Sequence, residues 1–245
     1  MRRAILFLMC VLAVGAAAFG AKVTFLGHAC VTVTAANGTV VLVDPYPASI
    51  TFPGLPTEAD IVLVTHQQHF DHNAVDRVTG DPTIVWGLEP DGSVAAGEEL
   101  VQGIPIRKVP SDHGPYSGQP QGMNAIFVFT VDGIRFAHLG GVGAALKPEE
   151  LAAIGQVDVV FMTAGGTYSL TPKKMIELIK GLPKPPAIVV PVHTRAPEVY
   201  FALLPLASFL SASPWPVKQL GAYEVELSPG ALPKATEVWV LEVKR

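Results

Sequence analysis

The order of elements along the chain predicts an α/β fold of layered sheets with helices outside them. Three observations carry it. Short β-rich runs parted by turn residues fill the first half of the 245 residues, and helices interleave with nearly continuous apolar strands in the second. A composition of 49% hydrophobic and 16% charged residues is enough for one full core. In chain order, residues 22–26, 31–34 and 40–43 read as strands, with Asn37-Gly38 a tight hairpin between the last two. Residues 61–64, 83–86, 104–109, 125–131 and 134–137 continue the pattern, and Asp132-Gly133 marks a second hairpin. Lys147-Pro148-Glu149-Glu150 opens a helix, because proline needs no amide partner in a first turn and acidic groups suit the positive end of the helix dipole. Thr171-Pro172 caps another, whose Met175, Ile176 and Ile179 share one face before Gly181 ends it. Residues 157–162 and 187–190 are nearly continuous apolar strands of a covered sheet. Residues 196–211 read as a mostly apolar helix and 236–243 as a closing strand, and no repeat or linker divides the chain.

The N-terminus reads differently. Arg2 and Arg3 precede an apolar run over 4–18, and Ala18-Phe19-Gly20 offers the small residues that a signal peptidase inspects. Residues 1–20 are therefore expected to be a signal peptide cut before Ala21, leaving 21–245 as one exported domain, periplasmic or secreted. The apolar run of about 15 residues is shorter than the ~20 that span a bilayer, so no membrane span is expected after cleavage. Cleavage removes Cys10 and leaves Cys30 as a lone, buried thiol with no disulfide. A formal charge of -4 without a basic run argues against a nucleic-acid partner.

Function gathers at the histidines. The chain has seven, at 28, 66, 69, 72, 113, 138 and 193, each at or just past the end of an expected strand. Loops at a sheet edge are where layered folds place chemistry. The stretch "VLVTHQQHFDH", residues 62–72, packs His66, His69, Asp71 and His72 into seven positions, a set of nitrogen and oxygen donors suited to zinc, iron or manganese.

These residues carry a resemblance. "KVTFLGHACVTV", "VVLVDPY", "VLVTHQQHFDH", "VPSDHG", "FAHLGGVG", "GGTYSLTPKKM" and "IVVPVHTR" together resemble the metallo-β-lactamase fold superfamily, in particular the branch of L-ascorbate-6-phosphate lactonases and N-acylphosphatidylethanolamine-hydrolysing phospholipase D. The resemblance implies a four-layer αββα sandwich and a metal-dependent hydrolase of ester, lactone or phosphodiester bonds in a small-molecule substrate. It implies one or two zinc ions, with manganese or iron as alternatives: a first held by His66, His69 and His113, a second by Asp71, His72 and His193. Asp71 would also act in catalysis, orienting the attacking water or accepting its proton. Asp44 would support the ligands from behind, or serve only as a turn residue before Pro45. His28 is similar to a histidine of this branch without an assigned ligand role, and His138 is read as a structural hydrogen-bonding group or a substrate contact.

Two departures stand out. The family signature separates its first two histidines by two positions, and here Gln67 and Gln68 separate them by three. In a regular strand that turns His66 and His69 to opposite faces, so either a bulge restores His66 or Gln67 takes the ligand position. Where the family places a metal-bridging aspartate this chain has Gly141, which points to an altered or mononuclear site. Asp112, beside His113, is the carboxylate that would swing in instead. A non-catalytic metal- or ligand-binding protein on the same fold is the rival reading, and a diiron oxidoreductase would need a flavin-bearing partner domain. Residues 55–60 and 114–122 are expected at the substrate rim, with Tyr116, Met123 and Tyr168 in the pocket.

Overall fold

The computed structural model describes residues 20–245, so the expected signal sequence, apart from Gly20, lies outside the described residues. Two sheets stack face to face. The first runs in the order Glu224–Leu227, Ala21–Gly27, Cys30–Thr34, Val40–Val43, Ile61–Val64, Thr83–Trp86. The second runs Val217–Gln219, Glu237–Val240, Ile188–Val192, Val159–Thr163, Ile134–His138, Met123–Val131, Ile104–Asp112, Gly97–Val101. The early strands pair as antiparallel hairpins, whereas Val40–Val43 with Ile61–Val64 and Val159–Thr163 with Ile188–Val192 pair in parallel.

Alternation along each strand builds the layers. Val41, Val43, Ile61 and Leu63 face inward against Ile106, Phe127, Phe129, Phe136 and Phe161 of the second sheet. Leu42, Val62 and Val64 point the other way, into a separate outer core. Both faces of these strands are covered, which is why the sequence shows apolar runs rather than a clean polar alternation. Helices Pro148–Ile154, Pro172–Lys180 and Leu206–Leu210 cover the second sheet, with Met175, Ile179 and Phe209 set against Val160, Met162 and Val189. The outer layer on the first sheet is not α-helical. It consists of irregular chain and the 3-10 turns Phe70–His72 and Val75–Arg77, anchored by Tyr46, Ile50, Phe52 and Leu55. The Tyr46 hydroxyl, buried there, donates to the Leu26 carbonyl at 2.9 Å.

The α/β sandwich is the predicted class, but the outer layer of the first sheet lacks the α-helix of the αββα expectation, and two elements also depart. The helix expected at 196–211 shrinks to Leu206–Leu210, because Pro197 and Pro205 interrupt it and the chain between ties back to Gly165 through the Leu204 amide at 2.8 Å. The edge strands Gly97–Val101, Val217–Gln219 and Glu224–Leu227 were missed, since largely exposed polar residues leave little periodicity to read. Cys30 is buried, its thiol pushed well above the usual range by that burial.

Candidate metal centre

Strand ends from both sheets open on one cavity of about 180 Å³. His66, His69, Asp71, His72, His113 and His193 all line it, together with Phe70, Tyr116, Tyr168 and Phe201. Three strands deliver the histidines. His66, His69 and His72 follow Ile61–Val64, His113 follows Ile104–Asp112, and His193 follows Ile188–Val192 in a left-handed conformation at φ 55°.

The inserted glutamine is absorbed by a turn, not by a bulge within the strand. The strand ends at Val64, and the His69 amide donates to the His66 carbonyl at 3.2 Å, closing a turn over Gln67 and Gln68. Gln67 points away from the cavity: its amide nitrogen donates to the Leu88 carbonyl at 2.6 Å and its oxygen accepts from the Leu88 amide at 3.0 Å. Gln68 donates to the Met123 carbonyl at 2.8 Å. Both glutamines thus latch the turn, and His66 takes the cavity-facing position.

Two groups of imidazoles result, joined by His66 and His72, whose ring centroids lie 4.3 Å apart. In the first, the His66, His69 and His113 rings are 4.6 to 5.2 Å apart, with His69 stacked on His113. In the second, the ligand atoms of His28, Asp71, His72 and His193 all lie within 4.8 Å of one another. His28 is the member that sequence reading left unassigned. It sits in the turn between Ala21–Gly27 and Cys30–Thr34 at φ 54°, and its carbonyl accepts the His193 amide at 2.6 Å. A histidine squeezed between Gly27 and Ala29 at a hairpin turn was the available signal, and it does not reveal what the loop folds against.

Behind the ligand face lies Asp44, fully buried. Its carboxylate accepts from the Thr65 amide at 2.8 Å and the Thr65 hydroxyl at 2.8 Å, and its Oδ2 lies 3.6 Å from His72 Nδ1. Since the Thr65 hydroxyl donates to Asp44, it accepts from His66 Nδ1, which leaves the His66 Nε2 lone pair facing the cavity. Asp44 therefore supports the candidate ligands His66, through Thr65, and His72 from behind rather than merely shaping a turn. His138 is a structural group: it contacts the Ala29 carbonyl through Nε2 at 3.0 Å and accepts from the Gly140 amide through Nδ1 at 3.2 Å.

Burial sets the charge states. It lowers His28 and His113 to about 3 and lowers His66 and His193, so these imidazoles are neutral with lone pairs available at neutral pH. For His72 burial works the same way but is outweighed by the Asp71 and Asp44 carboxylates, which raise it to about 10. Burial alone would raise Asp71, yet His72, His193 and His28 around its Oδ2 hold it far below the carboxylate range. The residues fit a cation. Both ring nitrogens of His193 are buried with no hydrogen-bond partner, and its Nε2 stands 4.0 Å from Asp71 Oδ2, a costly arrangement unless something fills the space beside it.

At Gly141 no carboxylate reaches the centre, and none fits without rearrangement. A Cβ there would stand 2.4 Å from His113 Nε2 and 3.0 Å from His66 Nε2. Asp112 does not replace it, because it is exposed and accepts from the Gly114 amide at 2.6 Å. Tyr116 and Tyr168 stand at the pocket as expected, whereas Met123 does not line it and the segment 55–60 packs Leu55 and Ala59 into the outer core of the first sheet.

Residues 22–193 match a family model described as a beta-lactamase superfamily domain. A UPF0173 metal-dependent hydrolase from Methanoregula boonei is 29% identical over 185 residues, covering 69% of this chain and 80% of the relative. Another from Methanoculleus marisnigri is 27% identical over 189 residues, covering 70% and 80%. Among solved structures, one from Thermotoga maritima, described as a candidate Zn-dependent hydrolase of the metallo-beta-lactamase superfamily, superposes with a TM-score of 0.72 at 30% identity, over 91% of this chain and 100% of the other. The family match runs from the hairpin that bears His28 to the loop that bears His193, and with it the chain belongs to the metallo-β-lactamase superfamily.

Proposed function

We propose that this protein is a metal-dependent hydrolase that cleaves an ester or lactone bond in a small, uncharged substrate, with zinc as its metal. The observation that carries the reading is the convergence of five imidazoles and Asp71 on one cavity whose mouth is aromatic. His66, His69 and His113 on one side and Asp71, His72 and His193 on the other are the residues that would hold the metal. A divalent cation bound there supplies Lewis acidity and lowers the pKa of a water toward neutrality. The chain's own part is positioning. Asp71, pinned among three imidazoles and strongly acidic, is suited to orienting a water rather than to holding its proton. Phe70, Tyr116, Tyr168 and Phe201 wall the entrance and exclude bulk water from the polar floor.

The same floor would serve a phosphodiester, as in the lactonase and phospholipase branch, but the lining favours neutral substrates. Among the described residues it contains neither Lys nor Arg, the side chains that ordinarily meet a phosphoryl group. Zinc-loaded protein is expected to hydrolyse p-nitrophenyl acetate or a simple γ-lactone faster than bis-p-nitrophenyl phosphate, and a chelator is expected to abolish both. Folded, zinc-loaded protein without turnover on any of the three would instead favour the metal-binding module. Export is part of the proposal: secreted in a bacterial host, the mature protein should begin at Ala21 by N-terminal sequencing, and retention of Met1 on exported material would refute the cleavage.

A further inference from the structure

We infer that His28 is a cation ligand, and that it makes the group His28, Asp71, His72 and His193 a self-sufficient site for a single divalent ion. The inference rests on the metal-dependent reading and says where in the cavity the tightly held ion sits. Three imidazoles and one carboxylate are a donor set suited to a divalent cation such as zinc, which can add a fifth position for water. Here their ligand atoms already lie within 4.8 Å of one another. Around Asp71 Oδ2 the Nε2 atoms of His28, His72 and His193 stand at 3.1, 3.2 and 4.0 Å. The His28 side chain is fully buried, and Nε2, its nitrogen in contact with Asp71, is the atom that would ligate. Its backbone is held at φ 54°, in the left-handed region where non-glycine residues are uncommon. The His193 amide donates a hydrogen bond to the His28 carbonyl and ties these two loops together, so the fourth ligand is placed by the first sheet and its neighbour by the second.

The other group is poorer. Its three histidines bring no carboxylate, His69 turns its Nε2 toward the Gln121 carbonyl at 3.4 Å, and Gly141 adds nothing between the groups. Among the residues lining the cavity Asp71 is the lone carboxylate. Two dications a few ångströms apart would repel with that single negative charge as offset. One ion is the favoured complement, and it belongs on the side that holds the charge.

The test is titration of metal-free protein with Co²⁺, followed by visible absorption and by metal analysis after desalting. One tightly held equivalent is expected. His28→Asn, which keeps a residue tolerant of the left-handed backbone, is expected to weaken that equivalent on the order of 100-fold and to change the d–d spectrum. His69→Ala is expected to change the affinity and spectrum of the tight equivalent far less than His28→Asn does. Circular dichroism of both metal-free variants confirms folding, and His28→Gln provides a second probe should His28→Asn not fold. Two tight equivalents, or one whose spectrum and affinity ignore His28 but follow His69, would overturn the inference while leaving metal dependence intact. No Co²⁺ binding by the wild-type chain would remove both.

Discussion

Gly141 shows how much one side chain, or its lack, sets the character of this cavity. The His113 ring occupies the volume that a Cβ would need, 2.4 Å from its Nε2, and the Gly141 amide donates to Asn124 Oδ1 at 2.8 Å. Asn124 is itself fixed to Ser111 Oγ and the Leu139 carbonyl, so the backbone cannot withdraw. Gly141→Ala should therefore displace His113 rather than shift the loop, at a cost of about 1–3 kcal/mol. Thermal melting of the metal-free variant measures this, and a melting temperature equal to wild type would show that the ring moves freely. The glycine is legible in the sequence as a missing carboxylate, but its occupation by an imidazole is not, because nothing local relates residues 113 and 141.

At the scale of elements, the turn of residues 66–69 determines which side chains reach the cavity. Strand periodicity alone would set His66 and His69 on opposite faces. The chain avoids this by leaving strand geometry at Val64 and fastening the inserted residues outside the pocket. Gln67 is the latch, bonded to both the amide and carbonyl of Leu88 just beyond the neighbouring strand Thr83–Trp86. Removing it in Gln67→Ala is expected to cost about 1–3 kcal/mol for the two bonds and to loosen His66. The expected readout is a lower melting temperature together with weaker Co²⁺ binding, and unchanged values for both would mean the turn holds itself. A bulge and a turn suit the same letters equally well, so the choice between them came from Leu88, which is remote in sequence.

Across the whole molecule, the buried imidazoles couple stability to pH. An exposed histidine in the unfolded chain titrates near ~6.5, whereas burial lowers His28 and His113 to about 3 and also lowers His66, His138 and His193. Below the unfolded value the unfolded state binds more protons, so the stability held by these groups is complete above it and declines as pH falls toward 3. His72, raised to about 10, has the opposite sign: its contribution is complete below the unfolded value and is lost as pH rises toward 10. With His69 also lowered, mainly by burial, six groups against one place the optimum near neutrality with the steeper fall on the acid side. Melting of metal-free protein from pH 8 to pH 5 should show this decline below pH 7, and a flat or rising trend would contradict neutral buried imidazoles.

The layered class, most strands and the placement of histidines at strand ends were readable from the residues, because apolar runs and turn signals act over a few positions and do not depend on the rest of the chain. Which imidazoles meet was decided by tertiary structure. His28 joins Asp71, His72 and His193 through a backbone hydrogen bond between loops of different sheets, and Asp44 reaches His66 through the Thr65 hydroxyl. Such contacts arise when two sheets stack and carry their loops to a common edge, and no local pattern encodes the distance across that edge.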